Sequence, residues 1–417
     1  MSELCSIALR VYIPRDSASR QEKGSPVFSN DDVVLVLDAE TTIDQYQNLL
    51  FGSCGIWIAG ILYRLIVLYH ECLGRSQIEL IRSFSGHSVE DIPIEVMSRS
   101  EFIDSVFYPW IYDTRALCVG FNLPFDLSRL AIKYGLGRGR FKNGFSFVLS
   151  KNKFHPRVRI RSLDSKRAFI EFEAKKGTNY RGRFLDIHTL AFAMTNTNMS
   201  LETACNHFNA SVKKRTNATH GRITRDYVNY NLQDTLSTHS LFQHMLERYS
   251  ELRVSIQPER GYSPASLGKS YLEKMGIRPF LEKNPTFPKE LLGNIMTTFY
   301  GGRSEIRIRK QPVKVRYMDI MSTYPVLFAL MNLWRFLIAK KIEYEDATSE
   351  IRKLVAEISL ESMNKATTWK RLAVIVQVKP EGDILPIRTH FGDEKNVWNI
   401  GLCELTGKTS LWYTLSD

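Results

Sequence analysis

A run of apolar residues that ends in two carboxylates places the strongest constraint on how this chain folds. Residues 33–37 read VVLVL and are followed by Asp38, Ala39 and Glu40. An aliphatic run of this kind, rich in β-branched residues, predicts a strand buried on both faces. Because side chains alternate along a strand, Asp38 and Glu40 point the same way while Ala39 points into the opposite layer. The sequence therefore predicts a central strand with a pair of acids at its carboxyl end.

Two carboxylates on one edge repel each other unless one is protonated or both meet a cation, and hard oxygen ligands favour Mg²⁺ or Mn²⁺. The alternative is a solvated strand end, since Asp-x-Glu arises by chance about once in a chain of this composition. The pair is a candidate metal site only if distant parts of the chain supply further ligands.

Composition excludes a disordered protein and favours a polyanionic partner. The 417 residues are 44% hydrophobic and 24% charged, which is ordinary for a globular protein, and the length allows about two or three domains. Lys and Arg number 56 against 44 Asp and Glu, giving a net charge of +12. This excess favours nucleic acid as partner, although a basic solvated surface gives the same count.

Neither a membrane partner nor export is expected. The most apolar stretch, residues 54–69, is interrupted by two glycines and Arg64 and is too short to span a bilayer comfortably. The N-terminus has scattered charges and no apolar core of signal-peptide type. The six cysteines form no C-x-x-C pair and no metal-ligand spacing with histidine, so we interpret them as reduced, buried thiols of a cytoplasmic protein.

Two further acids lie at predicted element junctions. Residues 117–122 form a short apolar strand, and the aliphatic spacing that follows predicts a helix with Asp126 in its first turn, where an acid can equally serve as a cap. Residues 225–249 lack Gly and Pro and have helical spacing, which puts Tyr230 and Asp234 one turn apart on the same face.

The remaining sequence between residues 48 and 190 predicts a mixed sheet. Residues 48–60 and 63–71 indicate two strands with a turn near Gly60, and residues 88–117 are predicted to be mainly helical. Residues 141–190 are rich in strands. One of them places Arg157, Arg159 and Arg161 on one face, which suits either a phosphate backbone or a charged edge strand. Another ends at Asp186, for which we favour a structural role.

Taken together, these motifs resemble the family B DNA polymerases, and their order makes the match specific. Asp38-Ala39-Glu40 is similar to the D-x-E motif of the family's DEDD exonuclease domain. Asn122-Leu123-Pro124-Phe125-Asp126 is similar to its N-x-x-F-D motif, and Tyr230 with Asp234 matches the Y-x-x-x-D motif that marks the DEDDy subtype.

Two downstream motifs also resemble this family. Tyr300-Gly301-Gly302 is similar to the Y-x-G-G connector, and residues 319–325, DIMSTYP, are similar to the palm motif D-x-x-S-L-Y-P with Thr323 in place of Leu. The finger motif K-x-x-x-N-S-x-Y-G and the palm motif Y-x-D-T-D have no counterpart after residue 325. The resemblance thus implies the N-terminal part of a longer polymerase.

The resemblance implies an α/β fold in which a ribonuclease H-like mixed-sheet exonuclease domain precedes an incomplete polymerase palm region. The implied segments are a lead-in at 1–32, the exonuclease domain at 33–250, a helical linker at 251–298 and the partial palm at 299–417. We expect metal-dependent 3′-5′ exonuclease proofreading on DNA. Nucleotide addition is doubtful, because a two-metal transferase needs carboxylates from both palm motifs.

Each matched residue then has an implied role. Two divalent ions, Mg²⁺ or Mn²⁺, would be held about 4 Å apart by four acids, Asp38, Glu40, Asp126 and Asp234. Tyr230 would orient the attacking water. Asn122 and Phe125 would contact the frayed single-stranded 3′ end. Tyr300, Gly301, Gly302 and Arg303 would approach the primer-template, although a plain turn explains them equally. Asp319 would be a palm metal ligand and Tyr324 a nucleotide-binding residue.

Two alternatives differ from a working nuclease. One is a catalytically idle nucleic-acid-binding scaffold. The other is one chain of a split polymerase, with the missing C-terminal motifs on another chain rather than on a longer version of this one.

Overall fold

The computed structural model describes residues 8–12, 33–174, 180–210, 220–299, 308, 310–390, 398–407 and 410–416. The chain divides into two compact units, one spanning residues 23–275 and the other combining the N-terminal segment with residues 276–417. This division falls inside the segment 251–298 that the sequence predicts to be a linker.

The described residues form the following elements. In chain order the strands are β1 (Ala8–Tyr12), β2 (Val33–Thr41), β3 (Leu49–Ile58), β4 (Ile61–Tyr69), β5 (Ser88–Val89), β6 (Ile92–Ser98), β7 (Leu117–Gly120), β8 (Lys133–Leu136), β9 (Phe145–Val148), β10 (Val158–Ser162), β11 (Ala168–Phe172), β12 (Arg183–Asp186), β13 (Glu343–Asp346), β14 (Ile375–Val378), β15 (Glu381–His390), β16 (Trp398–Thr406) and β17 (Leu411–Thr414). The α-helices are α1 (Arg75–Arg82), α2 (Arg99–Phe102), α3 (Leu123–Arg129), α4 (Ile187–Thr195), α5 (Leu201–Phe208), α6 (Arg225–Glu251), α7 (Pro264–Lys274), α8 (Phe280–Lys283), α9 (Lys289–Thr297), α10 (Thr323–Leu330), α11 (Trp334–Ile338), α12 (Thr348–Glu357), α13 (Leu360–Met363) and α14 (Ala366–Arg371). A π-helix covers Ile103–Asp113, and 3₁₀ turns cover Gly139–Phe141 and Pro258–Arg260.

The unit of residues 23–275 is an α/β structure built on a mixed sheet with strand order β12-β7-β2-β3-β4-β6-β5. Strands β2, β3 and β4 form an antiparallel meander, and Ala59 and Gly60 turn with positive φ where the sequence predicts the turn. Strand β7 runs parallel to β2, and β12 runs parallel to β7. The carboxyl ends of β2, β7 and β12 therefore meet at one edge of the sheet.

Strand β2 is buried on both faces, as predicted. Leu35 and Leu37 are fully buried in one apolar layer together with residues of α3 and the π-helix. Val36 lies in the opposite layer, where α6 covers the sheet. Asp38 and Glu40 share the Val36 side of the strand by alternation, so both acids are directed toward α6.

Gly52 on β3 allows β2 and β3 to approach closely beside the acids. A Cβ atom at this position would lie 2.6 Å from the backbone oxygen of Asp38, which is closer than real Cβ contacts allow. We expect Gly52→Ala to lower the free energy of unfolding by about 1–3 kcal/mol, because the two strands must shift apart. Urea denaturation measures this loss.

Gly268→Ala is the matched control for this substitution. Gly268 lies within α7, and a Cβ atom there meets nothing within 4 Å. Because alanine is the better helix former, the control should gain up to about 1 kcal/mol. Equal stability of the two variants would contradict a close approach at Gly52.

Residues 88–98 correct the prediction of a mainly helical segment at 88–117. They form β5 and β6, and β6 pairs in parallel with β4. The apolar residues Ile92, Ile94 and Val96 recur every second position, which is the period of a strand and not of a helix. The helical prediction holds for residues 99–113, where Pro109 lies inside the π-helix instead of ending it.

A second, antiparallel sheet of order β11-β10-β9-β8 contains the predicted arginine strand. Val158 and Ile160 on β10 are buried, while Arg159 on the opposite face pairs with Glu171 of β11. Strand β10 lies between β9 and β11, so the interpretation of it as a charged edge strand is wrong.

The other unit contains a sheet of order β13-β1-β14-β17 and the ribbon β15-β16. Its N-terminal strand β1 pairs with β13 and β14, so part of the predicted lead-in belongs to this sheet. The sequence around the DIMSTYP motif predicts a strand running into Asp319, with Ser322, Tyr324 and Pro325 at the start of a helix. Residues 312–320 instead have no regular secondary structure and are exposed, so the strand prediction is wrong. Helix α10 begins directly after Ser322, as this pattern predicts.

Within the described ranges, none of the helices has both the length and the apolar character that crossing a bilayer requires.

The cysteines differ in their burial. Cys54 and Cys118 are buried, and burial raises the pKa of both thiols. Cys72 is exposed and departs from the prediction of buried cysteines.

Candidate metal centre

Three carboxylates from two elements meet at the carboxyl end of β2. One carboxylate oxygen from each of Asp38, Glu40 and Asp234 lies within 4.8 Å of the other two. Asp234 comes from α6, which packs across β2 and β3. The sequence predicts that four acids converge, and this convergence is confirmed for these three, which come from two distant parts of the sequence.

The fourth predicted acid, Asp126, lies directly beside this cluster. Its Oδ1 accepts a hydrogen bond from the backbone N–H of Ala39, the residue between the two β2 acids, at 3.2 Å. Its Oδ2 is buried and has no hydrogen-bond partner among the described residues. Burial, together with the nearby charges of Asp186 and Glu40, raises the pKa of Asp126 well above the ordinary range.

This arrangement fits a divalent cation. The buried oxygen of Asp126 without a partner is unfavourable, and the three carboxylates that meet within 4.8 Å repel one another. A proton or a cation relieves both costs, and an all-oxygen donor set suits Mg²⁺ or Mn²⁺ better than softer metals. The cluster could therefore hold a metal ion.

Asp186 has the structural role that the sequence favours. Its side chain accepts hydrogen bonds from the backbone N–H groups of Asn122 at 2.9 Å and Leu123 at 3.2 Å. It also caps α4 by accepting from the N–H and hydroxyl of Thr189. Asp186 thus fixes the β7–α3 connection that positions Asp126.

Two residues of the site were not predicted from the sequence. The hydroxyl of Tyr227 donates to Glu40 Oε2 at 2.5 Å, and the amide of Asn231 donates to Asp38 Oδ2 at 2.5 Å. With Asp234 they are spaced by four and three residues on α6, so all three share one face. Burial and the charge of Glu40 raise the pKa of Tyr227, which keeps its hydroxyl protonated as a donor.

Tyr230 lies one turn before Asp234, as predicted, and is buried. Its ring centroid lies 6.4 Å from that of Tyr227 and 5.4 Å from that of His220. The imidazole of His220 is half exposed at the same place, with Nδ1 3.9 Å from Glu40 Oε2. Packing thus holds the Tyr230 ring beside Tyr227 and His220, the two side chains that approach Glu40, and its role toward water stays a prediction.

Tyr227→Phe should weaken the binding of Mn²⁺ by about 10–100-fold, because Glu40 loses the donor that fixes its orientation. Isothermal titration calorimetry measures the change. The control is Tyr249→Phe on the same helix, whose hydroxyl donates to the carbonyl of Ile256 at 2.9 Å, away from the acids. Equal Mn²⁺ affinity of the two variants would contradict a positioning role for Tyr227.

Asn122 and Phe125 line an open groove of about 1150 Å³ that also includes Thr42, directly after β2. Asn122 has φ +70° and is exposed. Phe125 is half-buried, and the guanidinium of Arg129 lies 4.7 Å above its ring. Both predicted contact residues thus line a groove that reaches the end of β2 at Thr42, and none of the four acids lines it.

The predicted polymerase residues belong to the other part of the chain. Asp319 and Tyr324 belong to the unit of residues 276–417, where both are exposed. Residues 300–303, which carry the connector motif, lie outside the described residues.

No protein-family model matches the chain, and no curated protein matches it significantly in sequence.

Proposed function

We propose that this chain is a metal-dependent 3′-5′ exonuclease acting on DNA, the proofreading part of a protein similar to the family B DNA polymerases. The observation that carries the proposal is the convergence of Asp38, Glu40 and Asp234 within 4.8 Å, with the unpartnered oxygen of Asp126 beside them. The mixed sheet, with its acids at the end of an interior strand, supports a ribonuclease H-like fold for residues 33–250. A cytoplasmic location in association with DNA is part of the same proposal.

The four acids would hold Mg²⁺ or Mn²⁺ in this proposal. When bound, such ions supply a hydroxide-like nucleophile and neutralise charge on the departing 3′ oxygen. The chain itself contributes rigidity, because Tyr227 and Asn231 hold Glu40 and Asp38 by hydrogen bonds from one helix face. Ligands fixed in this way need no rearrangement when the phosphate arrives.

Tyr230 is proposed to position the attacking water. Its ring is held by packing against Tyr227 and His220, and its place on α6 directs it to the same end of the sheet as Asp234. Asn122 and Phe125 are proposed to hold the terminal nucleotide, the ring by stacking on a base and the amide by hydrogen bonding.

A 3′-labelled single strand incubated with the purified protein and Mg²⁺ tests the proposal. We expect release of labelled mononucleotides, and loss of this release on adding EDTA or on Asp38→Ala. An intact strand that remains tightly bound to the wild-type protein would favour the idle scaffold instead.

Nucleotide addition is not part of this proposal, because the absent palm motif would supply half of the required carboxylates. Primer extension that begins only when a chain carrying the two missing motifs is added would support the split polymerase. Absence of extension under those conditions would remove that alternative.

A further inference from the structure

The groove lined by Asn122 and Phe125 extends to the hairpin formed by β8 and β9. Tyr134 on β8 and Phe145 on β9 line it there, with ring centroids 6.1 Å apart and planes at 79°. The two side chains are 69% and 45% exposed. Two large neighbouring rings left open in a groove are typical of a binding surface.

The charge of the groove identifies the kind of occupant. Arg129 and Lys133 line it, and none of its lining residues in the described part of the chain is Asp or Glu. The connection between β8 and β9, residues 137–144 with the sequence GRGRFKNG, has three basic residues and no acid, and of these Arg140 pairs with Glu171 of β11. A polyanion that also carries flat aromatic groups matches both features, which is the chemistry of single-stranded nucleic acid.

The two basic residues that line the groove, Arg129 and Lys133, make different contacts. The guanidinium of Arg129 donates to the carbonyl oxygens of Tyr46 and Gln47 and lies over Phe125, so it fixes the walls of the groove. Lys133 is exposed and directly precedes Tyr134. Neighbouring side chains of a strand leave opposite faces, so Lys133 is placed to contact the phosphate backbone of a strand in the groove beside the base on Tyr134.

We propose that Tyr134 and Phe145 form a second stacking site, which holds a base of the unpaired strand upstream of the nucleotide at the acids, with Lys133 on the adjacent backbone. This inference rests on the proposed function, because the acids define which end of the strand lies at β2. The site makes affinity depend on strand length. A strand too short to reach from Phe125 to Tyr134 gains nothing from it.

Equilibrium binding in EDTA tests the site without requiring hydrolysis. Fluorescence anisotropy is measured with a labelled trinucleotide and with an oligothymidylate of about 12 nucleotides, within the usual range of single-strand site sizes. Tyr134→Ala should weaken binding of the longer strand by about five- to hundred-fold and leave the trinucleotide unchanged. Tyr134→Phe, which keeps the ring, should bind like the wild type.

Tyr63→Ala is the matched control. Tyr63 is also an exposed strand tyrosine, at 54%, but lies near the start of β4, toward the end of the sheet opposite the acids. Equal binding of the longer strand by Tyr134→Ala and Tyr63→Ala would overturn the stacking site. The stacking site would also be overturned if the wild type bound an acidic peptide of equal charge more tightly than it binds the longer strand.

Failure of this inference can be told apart from failure of the proposed function. If the wild type degrades DNA but Tyr134→Ala shows no length-dependent loss of affinity, the nuclease proposal is supported and the stacking site is contradicted. If Tyr134→Ala weakens binding of the longer strand but the wild type releases no nucleotide with Mg²⁺, the stacking site is supported and the nuclease proposal is contradicted.

Discussion

Asp234→Asn is expected to lower the rate of mononucleotide release by at least about 10³-fold while the protein remains folded. The substitution keeps the shape of the side chain but removes one of the three carboxylates that meet within 4.8 Å. A bound cation stabilises the transition state by several kcal/mol, and each 1.4 kcal/mol corresponds to about tenfold in rate. Single-turnover kinetics with a 3′-labelled strand at saturating Mg²⁺ measures the loss.

Asp226→Asn is the control, because it makes the same chemical change on the same helix. Asp226 lies in the first turn of α6 and is exposed, whereas Asp234 is 5% exposed against the sheet. A surface carboxylate of this kind should change the rate by less than about twofold, given that exposed substitutions have small effects. Equal rates for both variants would mean that the acid cluster is not the site of hydrolysis.

The sequence predicts the two elements that build the site because each has an unambiguous pattern. The uninterrupted run before Asp38 can only be accommodated in a strand covered on both faces, and the structure buries Leu35 and Leu37 completely. The absence of Gly and Pro from residues 225–249 leads to the long helix α6. The α/β class and the mixed sheet follow from these patterns.

The partners of the acids could not be found in the same way. Periodicity places Tyr227, Asn231 and Asp234 on one face of α6, but it does not say which strand that face covers. Only the tertiary structure brings Asn231 to Asp38 and Tyr227 to Glu40. The sequence signal for such partners is a polar side chain one or two helical turns before Asp234, and Asn231 and Tyr227 both fit it.

Two of the wrong assignments show that alternation along the sequence leads to a strand only where a neighbouring strand is available to pair. Residues 92–96 have the two-residue period of a strand despite Pro93, and β4 offers them a parallel neighbour. Residues 313–317 also alternate apolar and polar side chains, yet no strand among the described residues pairs with them. Local propensity decides little where pairing is decided by distant segments.

Mn²⁺ is expected to raise the melting temperature of the wild-type protein by about 5–10 °C at a concentration about 100 times its dissociation constant. Binding to the folded state alone contributes about 2.7 kcal/mol under this condition, and each kcal/mol is worth roughly 2–4 °C for a domain of this size. Differential scanning fluorimetry with Mn²⁺ and with EDTA measures the shift. Asp226→Asn should shift by the same amount as the wild type.

The order of the melting temperatures of Asp234→Asn and the wild type should reverse between EDTA and Mn²⁺. Carboxylate pairs about 5 Å apart repel each other by roughly 1–3 kcal/mol at the dielectric constants of a protein surface, so neutralising one acid relieves the fold when no cation is present. In EDTA the variant should therefore melt a few degrees higher than the wild type, and with Mn²⁺ it should melt lower. A variant that is merely less well packed would melt lower in both conditions, so this crossover separates a cation site from a structural role of Asp234.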